Sequence, residues 1–246
     1  MSKINTTKPV GEIAAEIQTA IPLFEDMKID YCCAGDRTLQ EACALAGVPV
    51  DKMVSSLEKL QTDLSSRPKA VPDWRKKSMS EIIDIIVEKH HVYTRAQLGR
   101  IKTLSAKVIQ THGTHHPELF NLDNLIHDMS EEMEGHMAKE EEIVFSYLKE
   151  VERSRERGLA IRNPFTHMPY DDKHPLSILI WEHGMTGDEW MEIHRITRNF
   201  MTPPEACASF KALYRALKEL EEDIHRHVHL ENNILFKRAI EMKVLD

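Results

Sequence analysis

The sequence contains no apolar run near the roughly 20 residues that a bilayer-spanning helix requires, and its first residues are polar. Neither a transmembrane helix nor a signal peptide is therefore expected. Positive charge is also scarce. A formal net charge of −8 argues against nucleic acid or an anionic membrane as partner, and Arg75-Lys76-Lys77 is too short a basic run to change that. Cysteine numbers only four in 246 residues, too few and too scattered for a disulfide framework. No stretch alternates at period two, which removes the sheet-based classes. These absences leave an all-α, cytoplasmic protein as the expectation. Its 41% hydrophobic content suffices for a core, and its length suits one medium domain with an appendage or two small ones.

What is plentiful is histidine, at 14 residues, and its placement is not random. Two ten-residue stretches, 136–145 and 227–236, repeat one pattern: His136 and Glu140 in the first, His227 and Glu231 in the second, followed by Ile and Phe at matching offsets. On a helix, residues four apart rise about 6 Å along one face, which lets an imidazole and a carboxylate share an ion. His91 lies 45 residues before His136, and His183 lies 44 before His227. The pattern reads as a duplicated helical hairpin in which each copy brings two His and one Glu to a common centre.

Segments 11–20, 22–27, 38–47 and 51–64 carry apolar residues at helical spacing, with Thr38 and Asp51 as candidate N-caps. Between them, Asp30-Tyr31-Cys32-Cys33-Ala34-Gly35 forms a turn with adjacent thiols. Such a pair can close a strained, easily reduced disulfide, take up a soft metal, react with an oxidant, or serve only as two half-buried small side chains. A proline-containing run from Ser65 to Asp73 breaks the periodicity. The expected organisation is a small Cys-Cys domain over 1–64, a linker over 65–77 and a larger domain over 78–246.

Four long helices are expected in the larger domain, from Ser78 or Ser80 to Thr111, Leu122 to Arg155, Lys173 to Phe200, and from a capping box at Thr202-Pro203-Pro204-Glu205 to Glu241. Helices of roughly 28–37 residues imply an antiparallel four-helix bundle. His183 shares a stripe with Leu176, Leu179, Ile180 and Trp190. His136 and Glu140 share theirs with Met133, Ile143 and Tyr147, and His227 and Glu231 with Leu220, Ile224, Ile234 and Leu235. Carboxylates on such faces are costly to bury, and a metal ion removes the penalty. Four His and two Glu suit two first-row ions with the carboxylates as bridges. Iron fits best, with di-zinc and di-manganese as the other occupants. Glu132 and Glu182 are expected to orient ligands or move protons from the outer side. His112, His115, His116, His167, His174, His225 and His229 are expected to lie off the centre. Periodicity alone does not choose between His90 and His91.

Taken in order, Asp-Tyr-Cys-Cys-Ala-Gly with Thr38-Leu39, Glu81-Ile-Ile-Asp with His91 before Gln97-Leu98, His136-Met-Ala-Lys-Glu140-Glu, Glu182-His183, Pro203-Pro-Glu-Ala-Cys207 and 227–236 resemble the repair-of-iron-centres family. Its members are hemerythrin-like di-iron proteins with an N-terminal Cys-Cys domain of the ScdA type, and the resemblance spans nearly the whole chain. It implies a carboxylate-bridged non-haem di-iron centre and a part in mending iron–sulfur clusters damaged by nitric oxide or peroxide. It selects His91 over His90, makes His91, His136, His183 and His227 terminal ligands, and makes Glu140 and Glu231 bridges. It also gives Cys32 and Cys33 a redox or iron-transfer role, though Ala34 stands where the family usually has Gly. The partners implied are nitric oxide or dioxygen as small ligand and damaged iron–sulfur proteins, with a homodimer as one candidate assembly. A cytoplasmic protein that only binds or senses nitric oxide or dioxygen would use the same six ligands.

Overall fold

The computed structural model describes residues 4–64, 73–159 and 174–242. Most of the expected linker, and part of the expected loop with His167, lie outside the described residues. Helices account for the regular structure, and among the described residues there is no strand, only one isolated bridge between Pro9 and Thr38. None of the described helices is long and apolar enough to cross a membrane. The chain forms two compact units, one from residues 83–225 and the other from residues 1–82 and 226–243.

The smaller elements come first. Helix α1 (Val10–Glu16) passes through a 3-10 turn into α2 (Ile21–Asp26), whose Pro22 sits in the first turn, where a missing N–H costs nothing. Helix α3 (Leu39–Leu45) has Thr38 as its N-cap, as expected, and Glu41 completes a capping box: Thr38 Oγ1 accepts from Glu41 N–H at 3.2 Å, and Glu41 Oε2 accepts from Thr38 N–H at 2.9 Å. Helix α4 (Val50–Leu64) begins one residue before Asp51, so Asp51 supplies negative charge in the first turn instead of capping it.

From residue 79 onward the chain forms long helices interrupted by wider turns. Helix α5 (Met79–Ile85) runs through a π-helical turn (Ile86–His91) into α6 (Val92–His112). Helix α7 (Glu118–Lys139) runs through a second π turn (Glu140–Val144) into α8 (Phe145–Glu156). Helix α9 (Pro175–Thr197) follows, N-capped by the buried imidazole of His174, which accepts from Leu176 N–H. Helix α10 (Ala208–Leu230) continues through a third π turn (Glu231–Phe236) into α11 (Lys237–Glu241). Leu98, Ile101 and Val108 of α6, Leu122, Ile126 and Met129 of α7, Leu179 and Ile193 of α9 and Leu213, Leu217 and Leu220 of α10 are buried. Each such side chain contributes about 1.5–3 kcal/mol by leaving water. Helix α7 packs against both α6 and α9, while His90–Asp223 (3.0 Å) and His194–Glu221 (2.7 Å) tie α10 to the first π turn and to α9. This is the four-helix bundle that the helical spacing predicts.

Two local departures have clear causes. The box at Thr202-Glu205 does not open α10. Residues 203–206 make a turn instead, Glu205 reaches His116 at 3.0 Å, and the helix starts at Ala208. There Cys207 receives the backbone N–H groups of Phe210 and Ser209 and a contact from His112, which together lower its thiol to about 7. The end of α9 is closed by three consecutive left-handed residues, Arg198, Asn199 and Phe200, none of them glycine. That conformation costs about 1–2 kcal/mol per residue. It is offset by Asn199 N–H donating to His194 O (2.8 Å), by Phe200 N–H donating to Thr197 Oγ1 (3.1 Å), and by the Phe200 ring against His194.

Glu189 on α9 is half-buried, and burial together with the charges of Glu132 and Asp128 raises its carboxyl to about 7. Because the folded chain holds that proton more tightly than the unfolded chain, the associated stability is complete below the ordinary carboxylate range and is lost as pH rises through about 7. Glu189→Gln is therefore expected to raise the urea midpoint above wild type at pH 8 and to change it little at pH 5. Equal midpoint shifts at the two pH values would exclude this assignment.

Candidate metal centre

Glu140 is the first residue of the second π turn, and its side chain is fully buried. Its two oxygens face different imidazoles. Oε1 lies 3.2 Å from His136 Nε2 and 3.8 Å from His183 Nε2, and Oε2 lies 3.3 Å from His91 Nε2. His136 Nε2 and His183 Nε2 converge at 2.9 Å. Neither carboxylate oxygen accepts a directed hydrogen bond although both are buried. Burial opposes ionisation of Glu140, but the charge on His136 and the close imidazole nitrogens of His136, His183 and His91 outweigh it, holding the carboxyl well below its ordinary range. A metal cation favours the same ionised state without needing a proton on the imidazoles.

The spacings fit that substitution. Two ligands on adjacent corners of an octahedral ion, each about 2.1 Å from it, lie about 3 Å apart. The 2.9 Å and 3.2 Å separations match adjacent corners on one ion for His136 with His183 and for His136 with Oε1, His183 and Oε1 stand wider at 3.8 Å, and the 3.3 Å separation pairs His91 with Oε2 on the other side of the same carboxylate. In the other compact unit, His227 Nε2 and Glu231 Oε1 are 3.0 Å apart and both side chains are buried, the same pairing one repeat later. These buried His/Glu clusters suit a metal site. Nitrogen donors in this number disfavour calcium and magnesium.

The outer nitrogens of two imidazoles are held by charge. His91 Nδ1 lies 2.7 Å from Glu141 Oε1, which also accepts from Arg95 Nη1 at 2.9 Å, and Arg95 Nε bonds Glu134 at 3.1 Å. His136 Nδ1 lies 2.8 Å from Glu182 Oε2, and Lys139 pairs with the other oxygen of Glu182. Hydrogen bonding to His136, ahead of the opposing effect of burial, holds the Glu182 carboxyl below its ordinary range. For Glu141, burial works upward, and the hydrogen bonds from His91 and Arg95 more than cancel it. Ionised carboxylates only accept, so both Nδ1 atoms carry a proton, and each ring in its neutral form would offer its Nε2 lone pair to an ion beside Glu140. The His91 ring is further held by stacking on Phe145, centroids 5.9 Å apart.

The expectations for individual residues divide as follows. His91 faces Glu140, whereas His90 bonds Asp223. Glu182 stands where expected. Glu132 does not: it is exposed on α7 beside Asp128 and Glu189. Glu141, held in turn by Arg95, takes an outer-side place instead, beside His91. The acidic triplet 140–142 is visible in the sequence, but nothing in it marks Glu141 over Glu142. Ile143 is half-exposed and Val144 buried, since the π turn adds a residue and advances every later position round the helix. His229 and His174 are not at the centre, as expected, but both are buried. Cys32 and Cys33 adjoin one another, Sγ–Sγ 3.7 Å, with Asp30 Oδ1 accepting from the N–H groups of Cys32, Cys33 and Ala34 at 3.2, 2.9 and 3.2 Å. Asp30, Cys32 and Cys33 make a further, partly exposed group of possible ligands.

A helical bundle with buried His/Glu pairs repeated along the chain is the architecture of a cation-binding helical protein, and residues 82–239 match the hemerythrin HHE cation binding domain. The chain belongs to that family. Residues 6–61 match the ScdA_N domain, described as a domain of unknown function. Its relatives include proteins named iron-sulfur cluster repair protein YtfE from Escherichia coli O81 (strain ED1a), Escherichia coli O1:K1 and Escherichia fergusonii. Each is 34% identical over 233 residues, covering 95% of this chain and 96% of the relative.

Removing an outer-side carboxylate typically weakens a metal about 10–100-fold. Glu141→Ala and Glu182→Ala are each expected to lower metal affinity within that range in a chelator competition, with Glu132→Ala unchanged. Equal affinities for all three variants would show that these carboxylates do not orient the imidazoles.

Proposed function

We propose that this chain is a di-iron protein of iron–sulfur cluster repair, acting in the cytoplasm on clusters damaged by nitric oxide or oxidants. The observation that carries the reading is the divided carboxylate of Glu140, one oxygen turned to His136 and His183 and the other to His91. His227 and Glu231 repeat the pair of His136 and Glu140 in sequence and spacing, and they supply the matching half, with Glu231 as the second bridge. The names of the relatives, together with the iron-suited mixture of imidazole and carboxylate, favour iron over zinc or manganese.

Two bound irons would supply exchangeable coordination positions for nitric oxide or dioxygen and a store of iron for a damaged cluster. The protein's residues determine how firmly it is held. Four neutral imidazoles and two carboxylates leave two divalent ions with excess positive charge, so they are held less firmly than by an all-thiolate site. Glu141 and Glu182 fix the imidazoles, and the buried apolar wall excludes bulk water. Cys32 and Cys33, in a domain spanning 1–64 ahead of a linker at 65–77 and the bundle domain at 78–246, handle redox or transfer of iron to the client protein. A homodimer is one candidate assembly.

The protein purified without oxygen should carry about two irons per chain, and Glu140→Ala should lose most of it. Incubated with a nitrosylated iron–sulfur enzyme, the iron-loaded protein should restore that enzyme's activity. Cys32→Ser with Cys33→Ser should keep the iron and lose the recovery. Iron loading with tight, reversible nitric oxide binding and no recovery would instead assign the chain to sensing.

A further inference from the structure

The helix that carries His227 and Glu231 has a second face. Arg226, His229, Asn233 and Lys237 follow one another at helical spacing, and each meets the segment around the cysteine pair. Arg226 pairs with Glu25 at 3.6 Å, and Glu25 accepts from the Tyr31 hydroxyl at 3.1 Å. The Tyr31 ring stands edge-on to His229, centroids 5.4 Å apart, and Lys237 pairs with Asp36 at 2.6 Å. Asn233 is the centre of this row. Its Nδ2 donates to the carbonyl of Tyr31 at 3.2 Å and to that of Cys32 at 3.0 Å, and Asn232 adds a longer contact to Cys32 O at 3.4 Å.

The seat of Asn233 admits no side chain opposite it. A Cβ placed on Gly11 would fall 2.3 Å from Asn233 Oδ1, and one placed on Gly35 would fall 2.2 Å from it. Gly35 is part of the cysteine turn itself, and Gly11 N–H donates to Gly35 O at 2.8 Å. The amide is therefore wedged between two backbones while holding two carbonyls. Behind this contact the Cys32 thiol is buried, whereas Cys33 is exposed. A closed, buried thiol does not react, because reaction needs the exposed thiolate. Asn233 also stands two residues after Glu231 inside the same π turn.

We propose that Asn233 is a positioning residue that keeps the Cys32 thiol closed and links its opening to the metal ligand Glu231, so that the centre and the cysteine pair report to one another. The link rests on the reading of Glu231 as a ligand, whereas the closure of Cys32 does not. Such coupling is reciprocal: whatever factor iron gains from a closed turn, the closed turn gains from iron. In a repair cycle this would keep Cys32 out of reach while iron is held and make it available as iron departs.

The test is alkylation of the full-length protein by iodoacetamide, in which the thiolate sulfur displaces iodide, followed by mass analysis of each cysteine peptide. Buried Cys43 in α3 serves as an internal reporter of unfolding. Two lost hydrogen bonds correspond to about a tenfold effect. In the metal-free protein, Asn233→Ala is expected to speed Cys32 about tenfold with Cys43 unchanged, and Gly35→Ala, which crowds the same contact from the other side, should do likewise. Loading wild type with Fe(II) should slow Cys32 at least about threefold, and Asn233→Ala should abolish that difference. Equal Cys32 rates in metal-free wild type and both variants, or a parallel rise at Cys43, would overturn the closure. Bound iron without effect on Cys32 would overturn the link. A protein that takes up no iron yet shows the variant effect would sink the di-iron reading and the link while leaving the closure standing.

Discussion

The structure depends on keeping an ionised carboxylate inside a helical bundle. An isolated carboxylate there would carry a penalty of several kcal/mol, and the interior of Glu140 supplies no backbone donor to offset it. What surrounds it is a ring of imidazole nitrogens at 3.2–3.8 Å, each on a different turn or helix. The apolar faces of α6, α7, α9 and α10 bring those nitrogens together. The hydrophobic free energy of the bundle thus holds a polar arrangement that could not assemble by itself. Outer carboxylates with their own cations, Arg95 and Lys139, keep the rings from turning away.

The π turns are the local expression of the same constraint. Each is a poorer helix by hydrogen-bond geometry, and such turns tend to mark functional sites. Here one ends at His91, one begins at Glu140 and one begins at Glu231. Widening the helix by one residue re-aims the side chain at the turn and shifts the face that follows. Val144 then enters the core in place of Ile143. A straight α-helix would satisfy the backbone better and place either the ligand or the apolar residues after it on the wrong side. Asn233 uses the third of these turns in another way, since the widened backbone carries its amide to the carbonyls of the cysteine turn.

Much of the site can be read from residue order because the relevant spacing is a property of the backbone. His136 with Glu140 and His227 with Glu231 fall on one face of any helix, and their repetition together with flanking Ile and Phe distinguishes them from surface pairs. The long helices are legible for the same reason, as is the N-cap at Thr38, a contact that spans three residues. The misread features share a different cause. Glu132 and Glu141 both lie near His136 in the sequence, and only the packing of α6 against α7 brings Glu141 to His91. The box at Thr202 is locally plausible, but Glu205 bonds a histidine 89 positions earlier instead of closing the helix.

The sequence by itself determined the helical class, the duplicated ligand pairs and the presence of a cysteine turn, because each rests on contacts within four residues. Tertiary structure decided what periodicity left open between His90 and His91, which imidazole each oxygen of Glu140 faces, and that Gly11 and Gly35 receive Asn233. Those outcomes depend on distances between segments tens to hundreds of residues apart, and on π turns that no local pattern announces. Local spacing says which side chains can point the same way, whereas packing decides what they meet.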